Sequence, residues 1–159
     1  KPKISMAPLT PPMKAEVATA EGKNIPVEMG SYGIGVSRLL GAIIEASHDD
    51  KGVIWPRAVA PFETAVVSLR NDDADVTGIC ESAYEQLLNA GFDVLYDDTA
   101  ERPGAKFSTM ELIGVPELIV VGPKGVKAGV VEYRNRKAGS SEEMTLEAAI
   151  KRCLASRGG

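Results

Sequence analysis

The chain has 159 residues, 44% of them hydrophobic and 25% charged, with a formal net charge of −4; this is globular material, enough for one full domain and a fragment of another. No apolar run reaches membrane length and the amino-terminal KPKISMAPLTPPMK has no signal-peptide core, so a cytoplasmic protein with no membrane partner is expected. Residues 62 to 159 carry eleven Lys and Arg against sixteen Asp and Glu, which argues against a non-specific duplex binder, since neutralising a phosphate backbone demands excess cations. Cys80 and Cys153 lack companions at ligand spacing and read as reduced core thiols, and no metal site is expected. His48 is the only histidine and reads as a helix C-terminal residue.

In chain order, Met13 to Ala20 has partial alternation, Glu21 to Asn24 is turn chemistry, and Ile25 to Met29 returns as a second strand. Tyr32, Ile34 and Val36 alternate with Ser31, Gly33 and Gly35, so a short strand with one bare face is expected there. The period then becomes helical through Leu39, Leu40, Ile43 and Ile44, with Arg38 in the first turn. A guanidinium at a glycine-rich strand-to-helix junction suits a nucleotide lying across the glycines, forking onto phosphate or stacking on a base. Close helix packing explains such glycines equally well, and the dinucleotide fingerprint is absent because Arg38 stands where its third glycine belongs. These strands cannot enclose a core alone, so the segment reads as the end of a larger antiparallel-sheet domain.

His48 to Gly52 is a polar helix exit, and Pro56 and Pro61 stiffen an extended connector. The boundary is expected between Trp55 and Phe62, giving parts 1–55 and 56–159, with Trp55 a packing anchor rather than a stacking platform. Beyond it the pattern is α/β: strands at Ala65 to Leu69, Phe92 to Tyr96 and Leu118 to Val121, helices at Asp72 to Asn89 and Pro103 to Ile113, then two edge strands at Val130 to Arg134 and Glu143 to Thr145, and a last helix at Leu146 to Ser156. This predicts a mixed, mostly parallel five-stranded sheet flanked by three helices. Gly122 to Gly125 is expected to be a turn, lacking the Gly-Lys-Ser/Thr ending of a phosphate loop. Lys124, Lys127, Arg134, Arg136 and Lys137 read as a solvated face that could also approach an RNA backbone.

Asp97 to Phe107 follows a strand carboxyl end, where open α/β sheets place ligands, and presents acids, cations and an aromatic together. Guanine in a single-stranded loop offers acceptors to Arg or Lys on one edge and donors to Asp or Glu on another, while Phe can stack on its face. Each residue also has a packing alternative: Phe107 shares a helix face with Met110, and Asp98 fits a cap or a loop bend.

The ordered set GSYGIGVSR, HDDKGVIWP, ERPGAKF, MELIGVP and ELIVVG resembles the bacterial-type prolyl-tRNA synthetases, of the class II aminoacyl-tRNA synthetase family, over nearly the whole chain from about Pro12. The resemblance implies motif 3 of a catalytic domain followed by a class II anticodon-binding domain. It implies activation of proline by ATP with Mg2+, then transfer of the prolyl group to its tRNA, in a protein that is a homodimer at full length. By likeness Gly33, Gly35 and Arg38 belong to the ATP site, with Arg38 the catalytic residue that counters charge as pyrophosphate departs. Gly30 and Ser31 lie near the proline pocket. Glu101, Arg102, Lys106, Phe107 and Glu111 read the anticodon loop of proline tRNA. Motif 2 and motif 1 are not in this sequence, so no aminoacylation by the chain alone is expected. The alternative is a non-catalytic tRNA-binding accessory module built on an anticodon-type domain.

Overall fold

The computed structural model describes residues 15–27 and 33–157. Contacts divide the chain into two units, Lys1–Leu39 and Leu40–Gly159. The first contains a short hairpin, β1 (Glu16–Ala18) and β2 (Asn24–Pro26), antiparallel with Val17 opposite Ile25. Gly22 turns the chain with φ 76°, a conformation that favours glycine. Tyr32 lies outside the described residues. The strand expected through Ile34 and Val36 does not form over 33–35: these residues pair with no strand, and Val36 already opens helix α1 (Val36–Ala46).

The second unit begins within that helix and continues into a two-residue ladder, β3 (His48–Asp49) with β4 (Gly52–Val53). After a 3-10 turn at Arg57–Val59 come β5 (Thr64–Ser68), α2 (Ala74–Asn89), β6 (Val94–Asp97), α3 (Pro103–Ile113), β7 (Glu117–Val121), α4 (Pro123–Ala128), β8 (Val131–Asn135), β9 (Ser140–Met144) and α5 (Leu146–Arg157). Local chemistry explains the ends. The Asp73 carboxylate caps α2 by accepting from Asp75 N at 3.1 Å and Val76 N at 3.4 Å. Pro103 opens α3 and Gly114, at φ 81°, closes it. Helix α4 replaces the turn expected at Gly122 to Gly125: Pro123 starts it, Gly129 ends it and Val126 packs on the core. Six residues are too few for a helical period to stand out.

The sheet order is β6-β5-β7-β8-β9. It is mixed, as expected, with the pairings evenly split: β5 is parallel to β6 and β7, while β7–β8 and β8–β9 are antiparallel. Strands β5 and β7 are buried throughout, as central strands covered on both faces must be. Alternation sends Val66, Ile119 and Tyr133 to one face against Val76, Cys80 and Leu87 of α2 and Ile150 and Cys153 of α5. Ala65, Val67, Leu118 and Val120 face the other way, toward Met110 of α3. The chain leaves β5 for β6 on one side and leaves β6 for β7 on the other, so the strand order reverses beside β5. Open α/β sheets hold ligands at the carboxyl edge of such a reversal.

The division at Leu39–Leu40 lies ahead of the boundary expected between Trp55 and Phe62, because the β3–β4 hairpin and Trp55 pack against the end of α3. The Trp55 indole N–H donates to the Ile113 carbonyl at 2.7 Å. A methyl on Gly114 would meet the Val53 carbonyl oxygen at 2.5 Å and Trp55 Cδ1 at 2.9 Å. His48 lies in β3, two residues past the end of α1 rather than in its last turn, and its Nδ1–H donates to the carbonyls of Ile44 and Glu45, each at 3.1 Å, closing the carboxyl end of the helix from outside.

Candidate functional site

The loop leaving β6 is tied down from below and from one side. Asp97 Oδ1 accepts from Thr99 N at 3.1 Å and Thr99 Oγ1 at 2.7 Å, an Asx-type turn. Asn71, after β5, donates its amide to the carbonyls of Asp98 and Thr99, the latter at 2.6 Å. Lys106 reaches up from α3, donating to Ser68 O at 2.6 Å and Asp97 O at 3.3 Å and pairing with Asp97 Oδ1 at 3.3 Å. Only 2% of Lys106 is exposed. This departs from the expectation that Lys106 faces a base. Lys106 and Met110 lie one helical turn apart on the buried side of α3, and a buried ammonium must spend its donors on nearby oxygens.

Held on this platform, Glu101 and Arg102 are exposed, and neither side chain pairs with a charge among the described residues. Beside them lies a cavity of about 400 Å³ lined by Leu69 to Asp72 and Thr99 to Glu101. A second of about 500 Å³ opens at the strand reversal, between Leu69 and Arg70 after β5, Pro103, and Gly122 to Lys124 after β7. Arg70 and Lys124 thus bring further cations to the carboxyl edge. Sequence reading missed Arg70 and Asn71; their place directly after a buried strand was the available signal.

Phe107 and Glu111 sit on another side of α3. Arg134 covers the Phe107 ring, with its guanidinium carbon 3.9 Å from the centroid. The ring also packs against the α3-side core, so this face of Phe107 is already occupied and the expected stacking on a base does not use it. Arg134 Nε donates to Glu132 Oε1 at 2.8 Å. Glu111 is half-buried and takes a long contact of 3.5 Å from Lys51 Nζ. Arg136 is committed as well, giving Asp49 two contacts of 2.7 and 2.5 Å and Gly52 O one of 3.3 Å. Arg134 and Arg136 are therefore paired, not the solvated face their sequence positions suggested. The Arg136 guanidinium holds the Asp49 carboxyl well below the usual carboxylate range.

In the first unit, a methyl on Gly33 would meet nothing within 4 Å, and one on Gly35 would lie 3.5 Å from Arg38 Cβ. Leu39 N donates to Gly35 O at 2.9 Å, and Arg38 is exposed. These residues supply no carboxylate for a magnesium ion, and among the described residues no group of three His, Cys, Asp or Glu could hold a metal. Gly30 and Ser31 lie outside the described residues. Cys80 and Cys153 are free and buried, as expected. Burial pushes the Cys80 thiol up to about 11 and the Cys153 thiol up to about 12.

The Anticodon binding domain family model matches residues 63–156, and these are the residues from β5 through α5 that build this sheet and its exposed loop. The chain therefore belongs to the anticodon-binding domain family. Among known proteins it is similar to the proline-tRNA ligase of Parvibaculum lavamentivorans, 58% identical over 138 residues that make up 87% of this chain and 31% of that protein. It is similar to those of a Caulobacter species (56% over 148 residues, 93% and 33%) and Cereibacter sphaeroides (57% over 141 residues, 89% and 32%). The chain spans about a third of the length of these relatives.

Proposed function

We propose that the chain is part of a proline-tRNA ligase, in which the Leu40–Gly159 unit reads exposed guanines in the anticodon loop of proline tRNA. The observation that carries this reading is the Glu101–Arg102 pair: two exposed, opposite charges, unpaired among the described residues, on a braced loop at the carboxyl edge of a sheet whose family is anticodon-binding. The Arg102 guanidinium would fork onto guanine O6 and N7, and the Glu101 carboxylate would accept from the N–H groups on the other edge. Lys106, Asp97 and Asn71 would hold those two side chains at a fixed height without touching the base. Arg70 and Lys124 would meet adjacent phosphates.

In the intact enzyme Gly33, Gly35 and Arg38 would contribute to the ATP site and Gly30 and Ser31 to the proline pocket, with Mg2+ held by residues elsewhere. Arg38, in the first turn of α1, would stabilise the charge that develops on pyrophosphate as the proline carboxylate attacks the α-phosphate. A cytoplasmic homodimer fits this role. The identity across 87 to 93% of the chain supports the assignment.

The test is binding of the chain to proline tRNA and to the same tRNA with its anticodon guanines replaced. Preference for the guanines that disappears in Arg102→Ala supports the reading, whereas equal binding of both tRNAs sinks it. By itself the chain is expected to give no proline-dependent pyrophosphate exchange, and measurable exchange would show that the rest of the enzyme is dispensable.

A further inference from the structure

A cavity of about 520 Å³ lies beside the start of β7, on the sheet face that carries α5, and all of its lining belongs to the Leu40–Gly159 unit. One wall is the connector from Ile54 to Arg57, and the other brings together Pro116, Glu117, Lys137 and Ser156. We infer that it takes an apolar α-amino acid as its zwitterion, with the ammonium on Glu117, the carboxylate on Lys137 and the side chain against Trp55.

The first observation is an orphaned acceptor. Glu117 opens the central strand β7 and is 1% exposed. Arg57 Nη1 donates to its Oε1 at 3.2 Å and to Ser156 Oγ at 2.7 Å. The other carboxylate oxygen, Glu117 Oε2, is buried without a hydrogen-bond partner among the described residues. A buried carboxylate oxygen calls for a donor, and a charged one gives the strongest bond.

The second is a free cation within reach of it. Asn135 stands opposite Glu117 across the β7–β8 ladder, and Lys137 follows two residues later. Lys137 is exposed, with no carboxylate within 4 Å of its ammonium among the described residues. Two residues of strand rise about 7 Å. An α-amino acid holds its two charges about 3 Å apart, so with a hydrogen bond of about 2.9 Å at each end one molecule touches both Glu117 and Lys137.

The third is a fixed apolar wall. The Trp55 indole is held by its N–H bond to Ile113 O at 2.7 Å, and Ile54, Pro56 and Pro116 flank it. Small-molecule sites combine such walls with a few placed polar groups. An inorganic anion would satisfy Lys137 but would meet the bare oxygen of Glu117 with like charge. A bound amino acid would instead tie the connector to β7.

The experiment uses the full chain. Trp55 is its one tryptophan, so intrinsic fluorescence reports directly on the cavity. The probes are L-leucine, L-phenylalanine and L-proline, the N-acetyl and carboxamide forms of whichever binds most tightly, and inorganic phosphate. At least one amino acid should shift the Trp55 emission saturably by about 10 mM, the range of weak metabolite binding. Its N-acetyl form, which lacks the ammonium, and its amide, which lacks the carboxylate, should each bind at least about tenfold more weakly. Glu117→Gln should weaken the amino acid about tenfold and bring it level with the N-acetyl form. Lys137→Met should bring the acid level with the amide. Lys137 lies on an exposed turn, so this second variant keeps the test decisive should the buried Glu117→Gln fail to fold.

No saturable change with any of the three amino acids would overturn the site. N-acetyl or amide forms that bind as tightly as the parent amino acid would overturn the zwitterion. Phosphate that binds as tightly, with the same loss in Lys137→Met, would make this an anion pocket and overturn the amino-acid assignment. Each outcome is independent of the tRNA titration, which reads Arg102.

Discussion

Lys106 and Asp97 meet at 3.3 Å inside the protein, with 2% and 7% of their side chains exposed. Their contact joins the ends of two strands, since Lys106 also donates to Ser68 O at the end of β5 and to Asp97 O at the end of β6. The loop carrying Glu101 and Arg102 is thereby fixed to the sheet rather than left free above it. A pair of exposed side chains proposed to read a base gains from such a foundation, because side chains that must be ordered on binding lose affinity to entropy.

Removing the ammonium should therefore cost stability before it costs recognition. Lys106→Ala strips the buried Asp97 carboxylate of its counter-charge, leaving it only the two bonds from Thr99, and takes a donor from two carbonyls; the loss of one partner of a buried pair is worth about 3 to 5 kcal/mol. Denaturant unfolding of the variant should show that loss in its midpoint. Stability unchanged from the parent chain would mean the ammonium has no structural role.

Arg102→Ala and Glu101→Gln should do the reverse. Both residues are exposed and unpaired among the described residues, so thermal unfolding should move by no more than about 0.5 kcal/mol. Affinity for proline tRNA should fall by about 1 to 3 kcal/mol for each base edge lost. Fluorescence titration and melting curves on the same samples separate the two effects.

The β3–β4 hairpin leaves no room for a side chain where it meets α3. Gly52, at φ 147°, would drive a methyl into the backbone of Glu111 and Leu112, and Gly114, at φ 81°, into Val53 and Trp55. Gly52→Ala and Gly114→Ala should each lose more than about 1 kcal/mol. Gly139→Ala has the same sign of φ, 62°, but nothing within 4 Å, and should lose less. Chemical denaturation of the three variants ranks them.

The two thiols should be silent at ordinary pH. With Cys80 pushed up to about 11 and Cys153 to about 12, both remain protonated at pH 8, and iodoacetamide should modify them only after unfolding. The folded state holds these protons more tightly than the unfolded chain, whose thiols ionise near 8.5. Stability from this source is complete below that pH and declines as pH rises toward 11 and 12. Alkaline unfolding with simultaneous thiol labelling would show it.

Asp49 works in the opposite direction. Arg136 depresses its carboxyl, so its contribution is present above the ordinary carboxylate range near 4 and fades as pH falls below that range. Asp49→Asn should be less stable at neutral pH and show a smaller further loss in acid, as read from urea midpoints at pH 7 and pH 3.

Much of this was legible in the residues. The continuous apolar runs at Ala65 to Leu69 and Leu118 to Val121 gave buried strands, and Pro103 with Gly114 bracketed α3. Glu101 and Arg102 proved as exposed as their loop suggested. Lys106 and Phe107 were harder, because a lone helix has two plausible buried sides and only the sheet decides between them. Lys106 turned inward since the ends of β5 and β6 offered it three oxygens. Phe107 was covered by Arg134 from β8, a cross-element contact that local pattern does not encode. The hairpin's attachment also escaped notice, since Gly52 and Gly114 look like ordinary turn glycines until their backbones are seen touching. The strand expected at Ile34 failed for want of a pairing partner among the described residues.

The position of β5 has a consequence for synthesis of the protein. It is made before the other four strands of its sheet, yet it lies between β6 and β7, with Thr64 opposite both Val94 and Glu117. A chain growing on the ribosome can give it one neighbour when β6 emerges, but its other edge stays wet until β7 arrives. The backbone edge of Val66 and Val67 that pairs with Ile119 and Val120 must therefore wait until α2 and α3 have been made, and translation delivers the antiparallel strands β8 and β9 only onto a centre that has just closed.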